Sequence, residues 1–293
     1  MLNTVDVYGD ELTAAKIIDR SIDEYIDDSQ KSIGNCAFQN CTNLTTVSFP
    51  VATHIGNSAF QNCTNLTTVS FPAVTNIGYS AFQSCRSLTI VSFPVATRVG
   101  YSAFCSCSRL TEVNFPVVTS ASFGTFLNCS SLTTVSFPSL KYLENQIFGN
   151  CIKLENVYTP LAIQINTSAF NNCRSLAKLH APLIKLVDRD AFRNCYALRS
   201  LRFDLLSTIS ETAFFNCQAL ESLYLTASSV TNLYYTNAFG GTPISGSQYL
   251  SRYGSIFVRA SLLESFKSAT NWAAYSARIV GLTDEEIAAL DNE

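Results

Sequence analysis

"NCTNLTTVSFP" occupies residues 40–50, and the same eleven letters return at residues 62–72. The spacing of 22 residues then persists. Phe-x-x-Cys-x-x-Leu appears at Phe38/Cys41/Leu44 and Phe60/Cys63/Leu66, and again with Phe82, Phe104, Phe126, Phe148, Phe170, Phe192 and Phe214. Nine of the 11 cysteines (41, 63, 85, 107, 129, 151, 173, 195 and 217) lie on this ladder, leaving Cys36 and Cys105. One such phrase carries no information; an uninterrupted series is the signature of stacked structural repeats.

Within a unit the pattern is L-x-x-V-x-F-P-x-x-T-x-I-G-x-S-A-F-x-N-C. Val47 and Phe49 alternate with Thr46 and Ser48, which predicts a half-buried strand. Pro50 ends it, because proline has no N–H for a continuing ladder. A short extended return is expected at Ile55, a corner at Gly56, and one helical turn at Ser58-Ala59-Phe60 with Ser58 near its cap. One such coil cannot bury its own apolar edge; stacking on its neighbours supplies both burial and strand hydrogen bonds.

Hydrophobic residues make up 47% of the 293, enough for a sizeable core, and only 14% are charged. A net charge of −3 gives no basic face for nucleic acid. No apolar run reaches the length of a membrane span. The opening MLNTVDVYGDELTAAK has neither the basic nor the apolar part of a secretory signal, so none is expected in this stretch.

L-x-x-V-x-F-P followed by I-G-x-x-A-F-x-x-C-x-x-L resembles the BspA-like (Treponema pallidum-type) leucine-rich repeats, over about residues 22–260. The resemblance implies an α/β repeat solenoid: a right-handed superhelix with a parallel sheet on the concave face, short helical turns and a C-terminal capping helix. It also implies a bacterial cell-surface or secreted protein that binds a host or matrix protein. The period here is 22 rather than the commoner 23 of such repeats.

Three regions follow. Residues 1–30, with eight acids and two bases, read as an acidic N-terminal cap and a degenerate first coil in which Ile22 and Tyr25 take strand positions. Glu11 to Ile18 is expected to be a helical cap. Residues 31–226 hold nine 22-residue repeats, and residues 227–293 an irregular last coil and a helical cap. In that last part Phe239 arrives 25 residues after Phe214. Ser255–Val258 reads as a last strand, residues 261–276 as a helix capped by Ser261, and Thr283 to Leu290 as a final helical turn.

Little of the chemistry suggests catalysis. The cysteines fall one per coil between Phe and Leu, as small buried hydrophobes do, rather than in the short clusters that bind zinc. Cys105 stands at a variable position and is expected to be the most exposed thiol. The two histidines, His54 and His180, fall on different coil positions and define no triad. No nucleotide or cofactor phrase is present, so no cofactor, metal or enzymatic activity is expected. Sequons at Asn40, Asn62 and Asn128 follow from the repeat itself.

The informative residues are those that alternate outward from the strands. One column reads Ser48, Ser70, Ser92, Asn114, Ser136, Tyr158, His180, Arg202, Tyr224. The column before it reads Thr46, Thr68, Ile90, Glu112, Thr134, Asn156, Lys178, Ser200, Ser222. Hydroxyls give way to aromatic and charged residues. Tyr158, His180, Arg202 and Tyr224, with Lys178 and Arg199 beside them, are therefore the expected ligand patch, since Tyr and Arg are enriched where binding energy concentrates. A protein ligand is expected; a glycan is the other candidate, and the alternative role is a structural spacer.

Overall fold

A computed structural model describes residues 11–12, 21–246 and 253–290. The chain divides into two compact units, Met1–Leu140 with Gln146–Leu154, and Lys141–Asn145 with Glu155–Glu293. Each is a parallel-strand solenoid with few helices.

In the first unit, Glu24–Ile26, Thr46–Ser48, Thr68–Ser70, Ile90–Ser92, Glu112–Asn114 and Thr134–Ser136 take the same place in successive coils. Thr46 pairs with Thr68 and Val47 with Val69, so the register equals the sequence period. Tyr25 fills the place of Val47 in the coil before. The Phe49 N–H still reaches the Ser70 carbonyl (3.0 Å), Pro50 offers no donor, and the Ala52 N–H closes a turn on the Phe49 carbonyl (3.3 Å). A second parallel ladder runs through Glu11–Leu12, Ser32–Ile33, His54–Ile55, Asn76–Ile77, Arg98–Val99 and Ser120–Ala121. Glu11–Leu12 is thus strand where a helical cap was expected; residues 13–18 lie outside the described residues.

The expected helical turn at Ser58–Phe60 is instead a run of tight turns. Ser58 (φ 54°) and Asn62 (φ 61°) are both left-handed, and the same two positions are left-handed in coil after coil. The reason lies in where the donors go. The N–H groups of Ser58, Phe60 and Asn62 point along the stack to the carbonyls of Tyr79, Ala81 and Gln83 (2.7–2.8 Å). A helix would consume those donors internally; alternating left-handed residues free them for a third inter-coil ladder. Asn and Ser recur there because short polar side chains tolerate that conformation. Gly56 is required for a different reason: a Cβ on it would stand 2.6 Å from the backbone of Gly34 and Asn35.

Two phenylalanine columns fill the first unit. Phe38, Phe60, Phe82 and Phe104 stack at 5.0–5.2 Å and within 9° of parallel, and Phe49, Phe71 and Phe93 at 5.7–5.8 Å. Edge contacts such as Phe38–Phe49 (5.9 Å, 64°) join the columns. The ladder cysteines are fully buried, and they do more than fill space. Cys63 Sγ donates to the Phe38 carbonyl (3.0 Å), Cys85 to Phe60 (3.1 Å), Cys107 to Phe82 (3.1 Å) and Cys129 to Phe104 (3.2 Å). Burial pushes the thiols of Cys85 and Cys129 well above their ordinary 9.0, and neighbouring ladder thiols add to the shift. The most exposed thiol is Cys36, half-buried at a corner; Cys105, expected in that role, is 7% exposed because the coils on either side cover its position.

In the second unit the strands Asn156–Tyr158 and Lys178–His180 pair in parallel, as do Ser200–Phe203, Ser222–Leu225, Ser255–Arg259 and Ile279–Leu282 in that order. Phe170, Phe192, Phe214 and Phe239 stack at 5.3–5.4 Å, so the extra chain before Phe239 loops out without disturbing the column. The second phenylalanine column is lost: its places hold Thr159, Ala181, Phe203 and Leu225. Thr159 is buried and its hydroxyl has no hydrogen-bond partner among the described residues.

The C-terminal helix is present but broken. Helix α1 (Leu263–Ser268) has Leu262, not Ser261, at its N-cap and is separated from a 3-10 segment, Trp272–Arg278, by left-handed Asn271. The Asn271 amide donates to the carbonyls of Leu233 and Tyr234, both at 2.8 Å, which fixes the break. Trp272 seals the stack: its Nε1 donates to the Thr231 carbonyl (2.6 Å) and its ring lies 6.1 Å from Phe239. Ser255–Arg259 is not the final strand, because Ile279–Leu282 adds to it. Helix α2 (Asp284–Ala289) follows, closed by a reciprocal cap between Thr283 and Glu286.

Candidate recognition face

Outward side chains of the long-strand ladder differ sharply between the units. In the first unit the column opens on exposed Ile26 and is small from there on: Ser48, Ser70, Ser92, Asn114 and Ser136, with the Asn114 amide donating to Ser92 Oγ (3.1 Å). Part of the threonine cover beside them is structural. The hydroxyls of Thr45, Thr67 and Thr111 each donate to the carbonyl 22 residues earlier (2.8–3.1 Å), and Thr53, Thr75, Thr97 and Thr119 do the same along the second ladder (3.1–3.4 Å). These side chains staple one coil to the last.

In the second unit, strand register sets Tyr158 beside His180, and Arg202 beside Tyr224. Tyr158 is 47% exposed and its ring stacks on His180 at 4.9 Å and 9°. His180 and Lys178 are exposed, and Lys178 pairs in register with Asn156. Arg202 takes the same strand position one coil beyond His180, partly buried. Its Nε donates to Asp204 Oδ1 (2.7 Å), and Asp204 also accepts the Thr226 hydroxyl. Arg199 is exposed, just before the strand, with its carbonyl accepting from Glu221 N (2.9 Å) and Ser222 N (3.1 Å). Tyr224 is half-buried because its ring stacks on Phe257 at 4.6 Å and 14°.

Phe257 and the exposed Val280 complete the outward row, each in register with the residue before it, and the expected patch did not include them. Phe257 was legible as the odd residue between inward Ile256 and Val258. Val280 was not, because a four-residue strand after a helix carries no repeat phrase. The row is therefore two parallel aromatic pairs with an arginine between them. Stacking and the Asp204 pair hold each side chain in one orientation, so little side-chain entropy remains to be lost on binding.

His54 sits in the first unit and its Nδ1 meets Thr53 Oγ1 at 2.8 Å. Among the described residues no group of three His, Cys, Asp or Glu could hold a metal ion, and no helix is long and apolar enough to cross a membrane. The sequon asparagines Asn40, Asn62 and Asn128 are left-handed turn residues, and their amides belong to ladders: Asn62 to Asn40 and Asn150 to Asn128, both 2.9 Å.

The same coil is found in known proteins. The BspA type leucine rich repeat region matches residues 22–132 and 119–245, in six copies. The chain belongs to that family. Among solved structures, the Treponema pallidum leucine-rich-repeat protein is similar at 27% identity, over 53% of this chain and 78% of that one, with a TM-score of 0.49. A leucine-rich cell surface protein from Faecalibacterium prausnitzii matches at 19% over 89% and 92%, with a TM-score of 0.39. The pneumococcal vaccine antigen PcpA matches at 13% over 89% and 78%, with a TM-score of 0.48. No curated protein matches the chain.

Proposed function

We propose that the protein is a non-catalytic recognition module that binds a protein ligand, a host or matrix protein of bacterial adhesion, through the outward row of the second unit. Tyr158, His180, Arg202 and Tyr224 form the contact, with Lys178 and Arg199 at its margin. The observation that carries the reading is the pair of parallel stacks, Tyr158–His180 and Tyr224–Phe257, flanking Arg202 in a column where the other unit, after Ile26, has Ser and Asn. Preordered Tyr and Arg at the centre of a sheet face are what concentrated binding energy needs. Membership of a family of leucine-rich-repeat proteins supports a binding scaffold rather than an enzyme.

The test is binding of the folded protein to a panel of purified extracellular-matrix proteins. Saturable binding that falls at least about a hundredfold in Y158A/R202A/Y224A is expected, as for the loss of two or more hot-spot side chains. Equal affinity of wild type and triple variant would retire the row as the site. A second reading, a spacer or assembly component, is favoured by the first unit's bland outward face. Absence of saturable binding across the panel would support it.

A further inference from the structure

Tyr79, Tyr101 and Phe123 stand at one position of three consecutive coils in the first unit, on the turn edge rather than on the strand row. They are 55%, 52% and 37% exposed; Tyr79 and Tyr101 meet edge to face (5.4 Å, 84°), and Tyr101 and Phe123 are tilted (6.1 Å, 32°). Nothing in the recognition face uses them. The earlier places in the column, Asn35 and Asn57, have a visible structural role. Each side-chain oxygen accepts the backbone N–H of the residue one coil on, Asn57 and Tyr79, at 2.7 Å and 2.8 Å. The aromatic residues that follow make no such bond.

Two features of the chemistry around the rings matter. First, the turns Gly56–Asn62, Gly78–Ser84, Gly100–Ser106 and Ser122–Asn128 contain no charged residue. The nearest charges along the chain are Arg86 and Arg98. In the second unit one equivalent turn, Asp188–Asn194, holds four charged residues, with ion pairs Arg189–Glu211 (3.6 Å) and Arg193–Asp190 (3.2 Å), while Asn166–Asn172 holds none. Second, the hydroxyls here are unspent. The threonines of both strand ladders donate to backbone, but the phenols of Tyr79 and Tyr101 and the half-buried hydroxyls of Ser58, Ser80 and Ser102 have no hydrogen-bond partner among the described residues.

We propose that Tyr79, Tyr101 and Phe123, with Ser58, Ser80 and Ser102 beside them, form a binding strip for a neutral linear polysaccharide running along the coil axis of this unit. Because Tyr79 and Tyr101 stand edge to face, one exposed ring face takes the C–H face of a sugar while the neighbouring ring's edge and phenol meet its rim and hydroxyls. Unspent hydroxyls exchange hydrogen bonds with sugar hydroxyls at no internal loss. The rings repeat once per coil, a distance comparable to the advance of one pyranose along an extended chain. A protein partner would leave the hexasaccharides unbound, an outcome the test below reads directly. The strip stands apart from the strand row, so neither proposal depends on the other.

Isothermal titration of the full chain with cellohexaose, xylohexaose, mannohexaose and chitohexaose tests the strip. Saturable binding of at least one hexasaccharide is expected, weakened at least about tenfold in Y79A/Y101A, the ratio that losing two stacking contacts gives. In Y79F/Y101F, which keeps the rings, the loss should stay within about threefold. Y158A/Y224A should leave hexasaccharide binding unchanged, which separates this site from the strand row. If the alanine pair does not fold, Y79L/Y101L keeps the apolar cover of the turns and removes the rings. The proposal fails if none of the four hexasaccharides binds at millimolar concentration. It fails equally if the ring-less variants bind as wild type does, or if Y158A/Y224A is the variant that loses binding.

Discussion

The two units are built on the same coil and present different surfaces. In both, a phenylalanine column stacks at about one coil spacing and cysteine thiols donate to carbonyls 25 residues earlier, as Cys107 does to Phe82 and Cys195 to Phe170. Inward positions repeat because each must fit the coil before and after it; a changed side chain there disturbs two neighbours at once. Outward positions meet no such demand. They hold Ser48, Ser70 and Ser92 in the first unit, and Tyr158, His180, Arg202 and Tyr224 in the second. The interior also differs in one respect: the second phenylalanine column of the first unit becomes Thr159 and Ala181. What varies inside marks where packing has slack, and what varies outside marks where selection for binding can act.

The largest effect that would break this comparison is removal of a stacked ring. Phe104→Ala and Phe192→Ala should each destabilise by about 3–5 kcal/mol in urea unfolding, equally in either unit. A much smaller loss in one of them would show that the columns are not equivalent. Alkaline pH comes next. The folded thiols of Cys85, Cys129 and Cys195 titrate above their unfolded value of 9.0, because burial disfavours the thiolate. The protonated form is therefore the folded one, and stability is intact below about pH 8.5 and falls as pH rises past that point, by up to about 1.4 kcal/mol per pH unit for each thiol. Tyr25, pushed up to about 12 by burial and by Asp27, acts in the same direction. Urea midpoints from neutral to alkaline pH measure the slope, and a flat profile would contradict buried thiols.

Smaller effects sharpen the contrast. Asn172→Ala should cost about 1–2 kcal/mol, because alanine resists the left-handed turn (φ 61°) and leaves the Asn194 amide without its acceptor. Asn172→Gly should cost less, and a glycine variant as unstable as the alanine one would place the penalty in the amide ladder instead. Thr159→Val should stabilise by about 1 kcal/mol, since it deletes a buried hydroxyl with no partner while keeping its shape. Asp204→Ala should cost at most about 1 kcal/mol, because the Arg202–Asp204 pair is 25% and 39% exposed.

Much of this was legible in the sequence, for the same reason that the interior repeats. The phrase from Phe38 to Leu44 names the inward residues of every coil, and the letters between them give the outward columns. What was illegible lies where a different rule decides. Ser58-Ala59-Phe60 read as one helical turn, because Ser before Ala-Phe is also a helix cap; only the need of the Ser58 and Asn62 N–H groups for the next coil makes those two residues left-handed. Asn271 breaks a helix through bonds to distant carbonyls of Leu233 and Tyr234. Ile279–Leu282 joins the sheet although no repeat phrase announces it. Phe257 was read as a strand residue, but its stacking on Tyr224 depends on a register that the preceding irregular loop conceals from the sequence.

Counting reactive thiols in the native protein examines the shared interior most directly, since nine of the 11 cysteines sample it coil by coil. With a water-soluble disulfide reagent at neutral pH, only half-exposed Cys36 should react quickly, and the other ten should appear together when urea unfolds the chain. Rapid labelling of several ladder cysteines of either unit in the folded state would mean that the coils of that unit do not close on a buried column.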